Sequence, residues 1–363
     1  MYKIIYPDVD STIYEKYPDR NTSIDQIIEL TKYTVGERKD DVIDPTSAWE
    51  SNYNSRILIK FDVSEITPDV ITKPNFKALL NLTTSEVLST LNDFSIEVHP
   101  IKESWLPGNG NYNDSPEITN GVSWTYKSNL IDSDVWDSSS LEYVTNNGGG
   151  TWQSPSSSVE VKSPFSDITV EVTNIIEKWV NNEISNNGFI IKHTQENESN
   201  SNILGSIKFF SRESHTIYLP KLQLFWDDEI PSSSLEVTII DPSKSVIFFK
   251  NNKEIYSTEE NFKLRLGIRE LYRTLSYNTQ FIENQQNILS DTIYFSIIDQ
   301  ITNHIIIPFN DSLKVMYDSD GYFINVNCNN FLPERYYKIK FKIKTSENII
   351  IIDRDELSFR IKR

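Results

Sequence analysis

The chain has 363 residues, more than one ordinary β-sandwich uses and a comfortable length for two domains. Its 52 acidic residues against 35 basic ones give a formal net charge of −17, a surface that repels phosphate backbones and argues against a nucleic-acid partner. A single cysteine, Cys328, rules out an intrachain disulfide, and only 11 glycines exclude collagen-like or glycine-rich designs.

Tyr and Phe, 18 of each, lean the chain towards strands, because aromatic and β-branched side chains suit a pleated, half-buried surface. The N-terminal stretch Met1 to Pro7 has no basic segment followed by a long apolar one, so export by the standard signal is not expected. No run of about 18 apolar residues occurs, so no membrane span is expected either.

In chain order, the first predicted strands are Ser55–Asp62, Ala78–Leu82 and Phe94–Ile101, the last alternating with period two. The segments 108–121 and 146–158 are rich in Asn, Gly, Pro and Ser and are expected as surface loops. Ile168–Val172 alternates cleanly, and Thr173 is placed to cap a short helix whose apolar face is Ile175, Ile176 and Trp179. Gly188–Lys192 and Leu219–Trp226 are the last strands before an acidic, then Pro/Ser-rich, linker at 229–234.

A second series follows: Leu235–Ile240, Ser245–Phe249, Phe262–Ile268, Thr292–Ile298, Tyr322–Val326, Tyr336–Lys344 and Phe359–Ile361. About seven strands in this space predict an immunoglobulin-like sandwich, without the Cys…Trp…Cys signature of antibody domains. The expected fold is therefore all-β. A jelly-roll-like β-sandwich over 1–228 precedes the linker at 229–234, and an immunoglobulin-like β-sandwich spans 235–363.

The first part resembles the DNRLRE-type β-sandwich family, which includes family 96 carbohydrate-binding modules. The resemblance rests on Asp10-Ser11-Thr12-Ile13 with Arg20-Asn21, and on Arg56-Ile57-Leu58-Ile59-Lys60-Phe61-Asp62 followed by Ala78–Leu82. It continues through Trp105, Trp124, Val172-Thr173, Trp179, Asn187-Gly188-Phe189, Ser211-Arg212-Glu213 and Pro220-Lys221-Leu222. The segment 31–54 is longer and more charged than the family pattern, and 106–160 is a large insertion. The resemblance implies a sandwich that binds polysaccharide or serves as a surface or virion module, with Trp105 and Trp124 in the framework. It leaves the ligand open.

Residue chemistry points away from catalysis. His99, His193, His215 and His304 are scattered without metal-ligand spacing, and no nucleophile elbow, P-loop or dinucleotide fingerprint is present. Cys328 has no nearby His and reads as inert. Asp8, Asp10, Asp40, Asp41 and Asp44 offer hard oxygen ligands for calcium, against the simpler reading of a solvated acidic edge. Arg56 and Asp62 bracket the key strand and read as structural hydrogen-bonding groups at the sandwich rim. Among loop aromatics, Tyr112, Tyr126, Trp136 and Trp152 are the candidates for interface or glycan contact. Neither a catalytic residue, a cofactor nor a metal ligand is assigned.

These features lead to the expectation of a non-catalytic structural component of a tailed-bacteriophage virion (neck, ring, tail or capsid-associated). It would be made in the host cytoplasm and act through contacts with other virion proteins in a symmetric assembly. The alternative is a carbohydrate-binding module or adhesin recognising a host surface glycan; a third reading is an accessory domain of an enzyme.

Overall fold

Strands dominate the chain, and the fold is all-β. The computed structural model describes residues 1–34, 38–39, 42–43, 52–88, 94–128, 134–137, 148–161, 167–199, 204–227, 237–240, 245–271, 286–289, 292–318, 320–344 and 349–363. Two units emerge. The larger holds Ile4–Ile71 and Lys77–Leu224; the smaller holds Met1–Lys3, Thr72–Phe76 and Phe225–Arg363. The linker expected at 229–234 lies outside the described residues.

The strands of the first half begin with β1 (Tyr2–Ile5), β2 (Pro7–Tyr14), β3 (Ile27–Thr34), β4 (Arg38–Lys39), β5 (Val42–Ile43) and β6 (Asn52–Phe61). A one-turn helix α1 (Pro68–Ile71) precedes β7 (Lys77–Leu82), β8 (Thr84–Leu88), β9 (Phe94–Pro100), β10 (Ser157–Val161) and β11 (Ile168–Glu171). Helix α2 (Thr173–Val180), β12 (Phe189–His193), helix α3 (Gln195–Ser199), β13 (Gly205–Phe210) and β14 (Lys221–Phe225) complete it. One sheet runs β10-β9-β12-β6-β3-β13-β8, with β2 also paired to β6; a second runs β1-β14-β7-β11.

Period two decides what each face of β6 does. Ile57, Ile59 and Phe61 point to one side, where Phe189 and Trp179 join them: Phe61 and Phe189 rings lie 6.1 Å apart, Phe189 and Trp179 4.5 Å. The opposing sheet buries Ala78, Leu80 and Leu82 of β7 and Ile168 and Val170 of β11 while exposing the alternate positions. Arg56 and Leu58 face the other way, beneath the insertion between β9 and β10.

Helix α2 forms where the sequence places it, but Thr173 does not cap it. The cap is Val172, without a side-chain hydrogen bond. Thr173 is instead the first helical residue, and its hydroxyl accepts from the Ala78 N–H at 3.0 Å, tying the helix to β7. Trp179 is core, as its place on the apolar face predicts.

The smaller unit contains β15 (Val237–Ile240), β16 (Ser245–Phe249), β17 (Ile255–Ser257), β18 (Asn261–Glu270), β19 (Gln286–Leu289) and β20 (Ile293–Asp299). It ends with β21 (Ile305–Ile307), β22 (Met316–Asp318), β23 (Gly321–Asn327), β24 (Arg335–Lys344), β25 (Ile349–Ile352) and β26 (Ser358–Lys362). One sheet runs β16-β18-β23-β22, a second β17-β26-β24-β20-β21 with β25 also on β24, and β15 pairs with β19 in parallel. In β24, Ile339, Phe341 and Ile343 are buried while Lys340, Lys342 and Lys344 point outward. Phe359 packs its ring against Tyr256, Phe331 and Tyr337 to form an aromatic centre. Cys328 is fully buried, and burial pushes its thiol up to about 12, so it stays protonated at neutral pH.

Candidate functional site

The insertion between β9 and β10 does not behave as a surface loop. Ile101, Trp105, Val122, Trp124 and Trp136 fold back over the sheet and close a second core with Ile13, Leu58 and Ile190. Such a cover needs anchors, because irregular backbone carries polar groups that must be paired when buried. Asn21 is the first anchor and is fully buried. Its amide donates to the carbonyls of Pro107 at 2.5 Å and Val122 at 2.7 Å, and its oxygen accepts from the Gly110 N–H at 2.8 Å. Glu103 is the second. It accepts from Lys127 Nζ and Thr151 Oγ1, both at 2.8 Å, and from the Asp137 N–H at 2.9 Å. Burial pushes the Glu103 carboxyl up, but these donors outweigh it and hold it below its ordinary value.

Arg56 is the third anchor and the centre of the site. Its Nε and Nη2 donate to the two carboxylate oxygens of Glu198 in α3 at 3.0 and 2.8 Å, and Nη1 donates to the Gly149 carbonyl at 2.5 Å. The guanidinium lies 4.8 Å from the Trp124 ring centre and 5.0 Å from that of Trp152. Lys192 Nζ lies 5.2 Å from the Trp152 ring, 3.3 Å from Glu97 and 3.6 Å from Glu198. Lys32, fully buried, donates to the Asn197 carbonyl, and burial lowers its pKa. Desolvation raises the Glu198 carboxyl, but Arg56 and then Lys192 overcome it, and the group titrates below 4.5.

The glycine run explains how the backbone reaches this point. Gly148 and Gly149 are buried with φ of +130° and +85°. A Cβ on Gly148 would stand 2.3 Å from the Trp124 carbonyl oxygen, and one on Gly149 would stand 2.4 Å from Arg56 Nη1. The expectation that this stretch lies on the surface is corrected for 148–150: only bare backbone fits between Trp124 and Arg56.

The four aromatic candidates fall in different settings. Trp136 is 3% exposed and donates its Nε1 to the Ser123 carbonyl at 3.1 Å, so it is core and not the outward platform expected of it. Trp152 is half-buried between the cations and His99, whose ring centre is 5.9 Å away. Tyr112 is half-buried in a separate cluster with Tyr14, Tyr17 and the Arg20 guanidinium. Tyr126 is half-buried on a small ladder, paired with Val135. Trp105 and Trp124 are buried in the second core.

Other residues singled out are also placed. Arg56 is buried, whereas Asp62 lies just past the end of β6, is exposed, and accepts from the Ser64 N–H. Asp10 is buried and accepts from the Arg212 N–H at 2.7 Å, while Asp8 is exposed. Asp40, Asp41 and Asp44 lie outside the described residues. Among the described residues, no three His, Cys, Asp or Glu side chains are grouped to hold a metal ion. His99 contacts Glu97 at 3.3 Å, and His193 is buried with neither ring nitrogen hydrogen-bonded. No described helix is long and apolar enough to cross a membrane.

Chemically, the cluster is a lock. Its charges face one another inside the protein, where they are worth most when paired and cost most when separated. Sequence reading found Arg56 but missed Glu198, Asn21 as an anchor, Glu103 and Lys192. None has a spacing signal: Arg56–Glu198, Asn21–Val122 and Glu97–Lys192 pair across about 95 to 140 positions, and the nearer partners of Glu103 and Lys192 fit no recurring motif.

No family model and no curated protein matches the chain. Among solved structures, a β-glucuronidase from Parabacteroides merdae with glycerol in its active site aligns over 96% of this chain and 35% of that one, at 10% identity and a TM-score of 0.19. A second structure of β-glucuronidase from that organism aligns over 96% and 36%, at 10% identity and a TM-score of 0.18. The chain thus spans little more than a third of these proteins' length, and a likeness this slight carries no conclusion about activity.

Proposed function

We propose that the chain is a non-catalytic structural protein that acts through protein–protein contacts, as a component of a tailed-bacteriophage virion. One observation carries the contact role: the insertion buries Trp105, Trp124 and Trp136 against the sheet, and it leaves apolar side chains outward on that cover. Leu106 is 62% exposed and Val135 49%. They sit on backbone segments bonded side by side, with the Leu106 N–H on the Lys127 carbonyl, the Lys127 N–H on the Asp134 carbonyl, and Tyr126 paired to Val135. A loop-built surface carrying Leu, Tyr and Val has the composition of an association patch. The setting in a virion rests on the sequence reading alone.

Glycan recognition through the loop tryptophans is the weaker reading, because Trp136 faces inward and Trp152 already lies against Arg56, Lys192 and His99. The test combines both charges of the proposal. Particles are banded on a density gradient and searched for the chain by mass spectrometry, with the wild type and a Leu106→Asp/Val135→Asp variant. The wild type is expected in the particle band and the variant in the soluble fraction, with unchanged thermal stability. Absence of the wild type from every particle fraction refutes the virion assignment, and an equally incorporated variant refutes the patch.

A further inference from the structure

Helix α3 is held to the larger unit without any apolar side chain. Its residues, Gln195–Ser199, are all polar, and Glu198 is the one that is buried. The Glu198 carboxylate takes the Arg56 fork, and the Asn197 carbonyl accepts from Lys32. The Glu198 N–H donates to the Thr194 carbonyl at 2.9 Å, and the Asn197 N–H to the Thr194 hydroxyl at 3.3 Å. A segment attached by polar contacts alone belongs to the part of a fold that opens well before the rest unfolds.

His193, the last residue of β12, stands at the root of this helix. It is 1% exposed, and its ring meets that of Phe94 edge-on with centres 5.1 Å apart. Neither ring nitrogen has a hydrogen-bond partner among the described residues. A buried imidazole in that state is tolerated only while neutral. The charged groups around it come from each element packed there: Lys192 beside it on β12, Glu97 on β9, Arg56 on β6, Lys32 on β3 and Glu198 on α3. A proton on His193 would add one more cation to this set, with no acceptor of its own. Burial accordingly pulls the imidazole from 6.5 down to about 4, with Glu198 opposing and Lys32 and Lys192 adding to the fall.

We infer that α3 is an acid-released clasp: uptake of a proton at His193 drives α3 off the cluster, which parts Glu198 from Arg56 and loosens the glycine run that Arg56 holds. Opening lets water reach the imidazolium and the Glu198 carboxylate, so the buried charge is relieved. The sign follows from the depressed value in the closed form. Opening grows as pH falls through 6.5 and levels off below about 4. Between pH 7 and pH 5 the opening constant rises about twentyfold. The clasp needs neither a virion setting nor a partner at the Leu106–Val135 surface.

The test is hydrogen exchange of the whole chain at pH 7, 6 and 5, read by mass spectrometry and corrected for the intrinsic rate. The reporters are the Glu198 N–H in α3 and the Gly149 N–H, which donates to the Trp124 carbonyl at 2.6 Å. Peptides spanning 194–199 and 148–151 should both lose protection, by about twentyfold from pH 7 to pH 5, while Ile57–Phe61 of β6 keeps its own. His193→Gln should make both segments insensitive to pH over this range. Glu198→Gln should raise exchange in both already at pH 7 and return the imidazole, followed by NMR, towards 6.5. Should His193→Gln not fold, the wild-type imidazole itself decides, since it must titrate well below 6.5. Protection of α3 that holds to pH 5 overturns the clasp, as does a loss that His193→Gln retains or an imidazole that titrates at 6.5. Loss in α3 with an unmoved 148–151 segment breaks the link to the cover and overturns it too. An equal loss across β6 marks acid unfolding of the whole unit and overturns it likewise.

Discussion

Arg56 shows why one residue can govern a large irregular segment. It gives a fork of three donors to Glu198 and Gly149 from a position that is 7% exposed, so α3 and the glycine run are both tied to one guanidinium. Glu198→Gln keeps the shape and removes the charge, leaving Arg56, Lys32 and Lys192 with too little compensation. Breaking a buried pair in this way costs about 3–5 kcal/mol. The carboxyl titrates below its unfolded value in the fold. Its contribution is therefore complete above the unfolded pKa near ~4.3 and is lost as pH falls through the lower folded value. Chemical denaturation should show the wild type well ahead of Glu198→Gln at pH 7, with the gap narrowing below about pH 4. A gap that is absent at pH 7 would mean that the pair is decorative.

At the scale of elements, the strands were legible and the cover was not. Alternation in Tyr336–Lys344 predicts the β24 of the fold because each residue's side follows from its parity. The same holds for Phe94–Ile101 and Ile168–Val172. Strand β25, four isoleucines in a row, has no alternation to read; strand β13 opens on Gly205-Ser206 and looks like a turn. In the insertion, parity has no meaning, since coil sets no rule for which way a tryptophan points. Trp136 therefore read as a loop aromatic free to meet a ligand, although its indole had an acceptor waiting at Ser123. The distinction is measurable. Trp136→Ala should cost about 3–5 kcal/mol in urea unfolding, as for other buried aromatic truncations, and Trp152→Ala, half-buried at the rim, clearly less. Equal and small losses would show that the cover is not docked on the sheet.

For the whole molecule, two buried groups of the larger unit, Asp10 and His193, pull the pH dependence of stability in opposite directions. Burial raises Asp10 from 3.8 to about 7, with the Arg212 N–H opposing and Glu213 adding to the rise. Burial lowers His193 from 6.5 to about 4, against the pull of Glu198 and with Lys32 and Lys192 reinforcing it. Between their folded and unfolded values, the native state holds the extra proton at Asp10, whereas the unfolded state holds it at His193. Acidification thus strengthens the fold through Asp10 and weakens it through His193, each by at most about 1.4 kcal/mol per pH unit. Over pH 4.5 to 6.5 the two slopes offset each other. Single replacements separate them. Relative to wild type, Asp10→Asn should gain stability steadily from pH 4 to 7, because it no longer confines a charge that the fold resists. His193→Gln should gain in the other direction, as pH falls from 6.5 towards 4. Unfolding free energies measured at half-unit steps from pH 4 to 8 give both difference curves. Curves parallel to wild type would show that these groups titrate alike in the folded and unfolded chain, and that neither is buried as described.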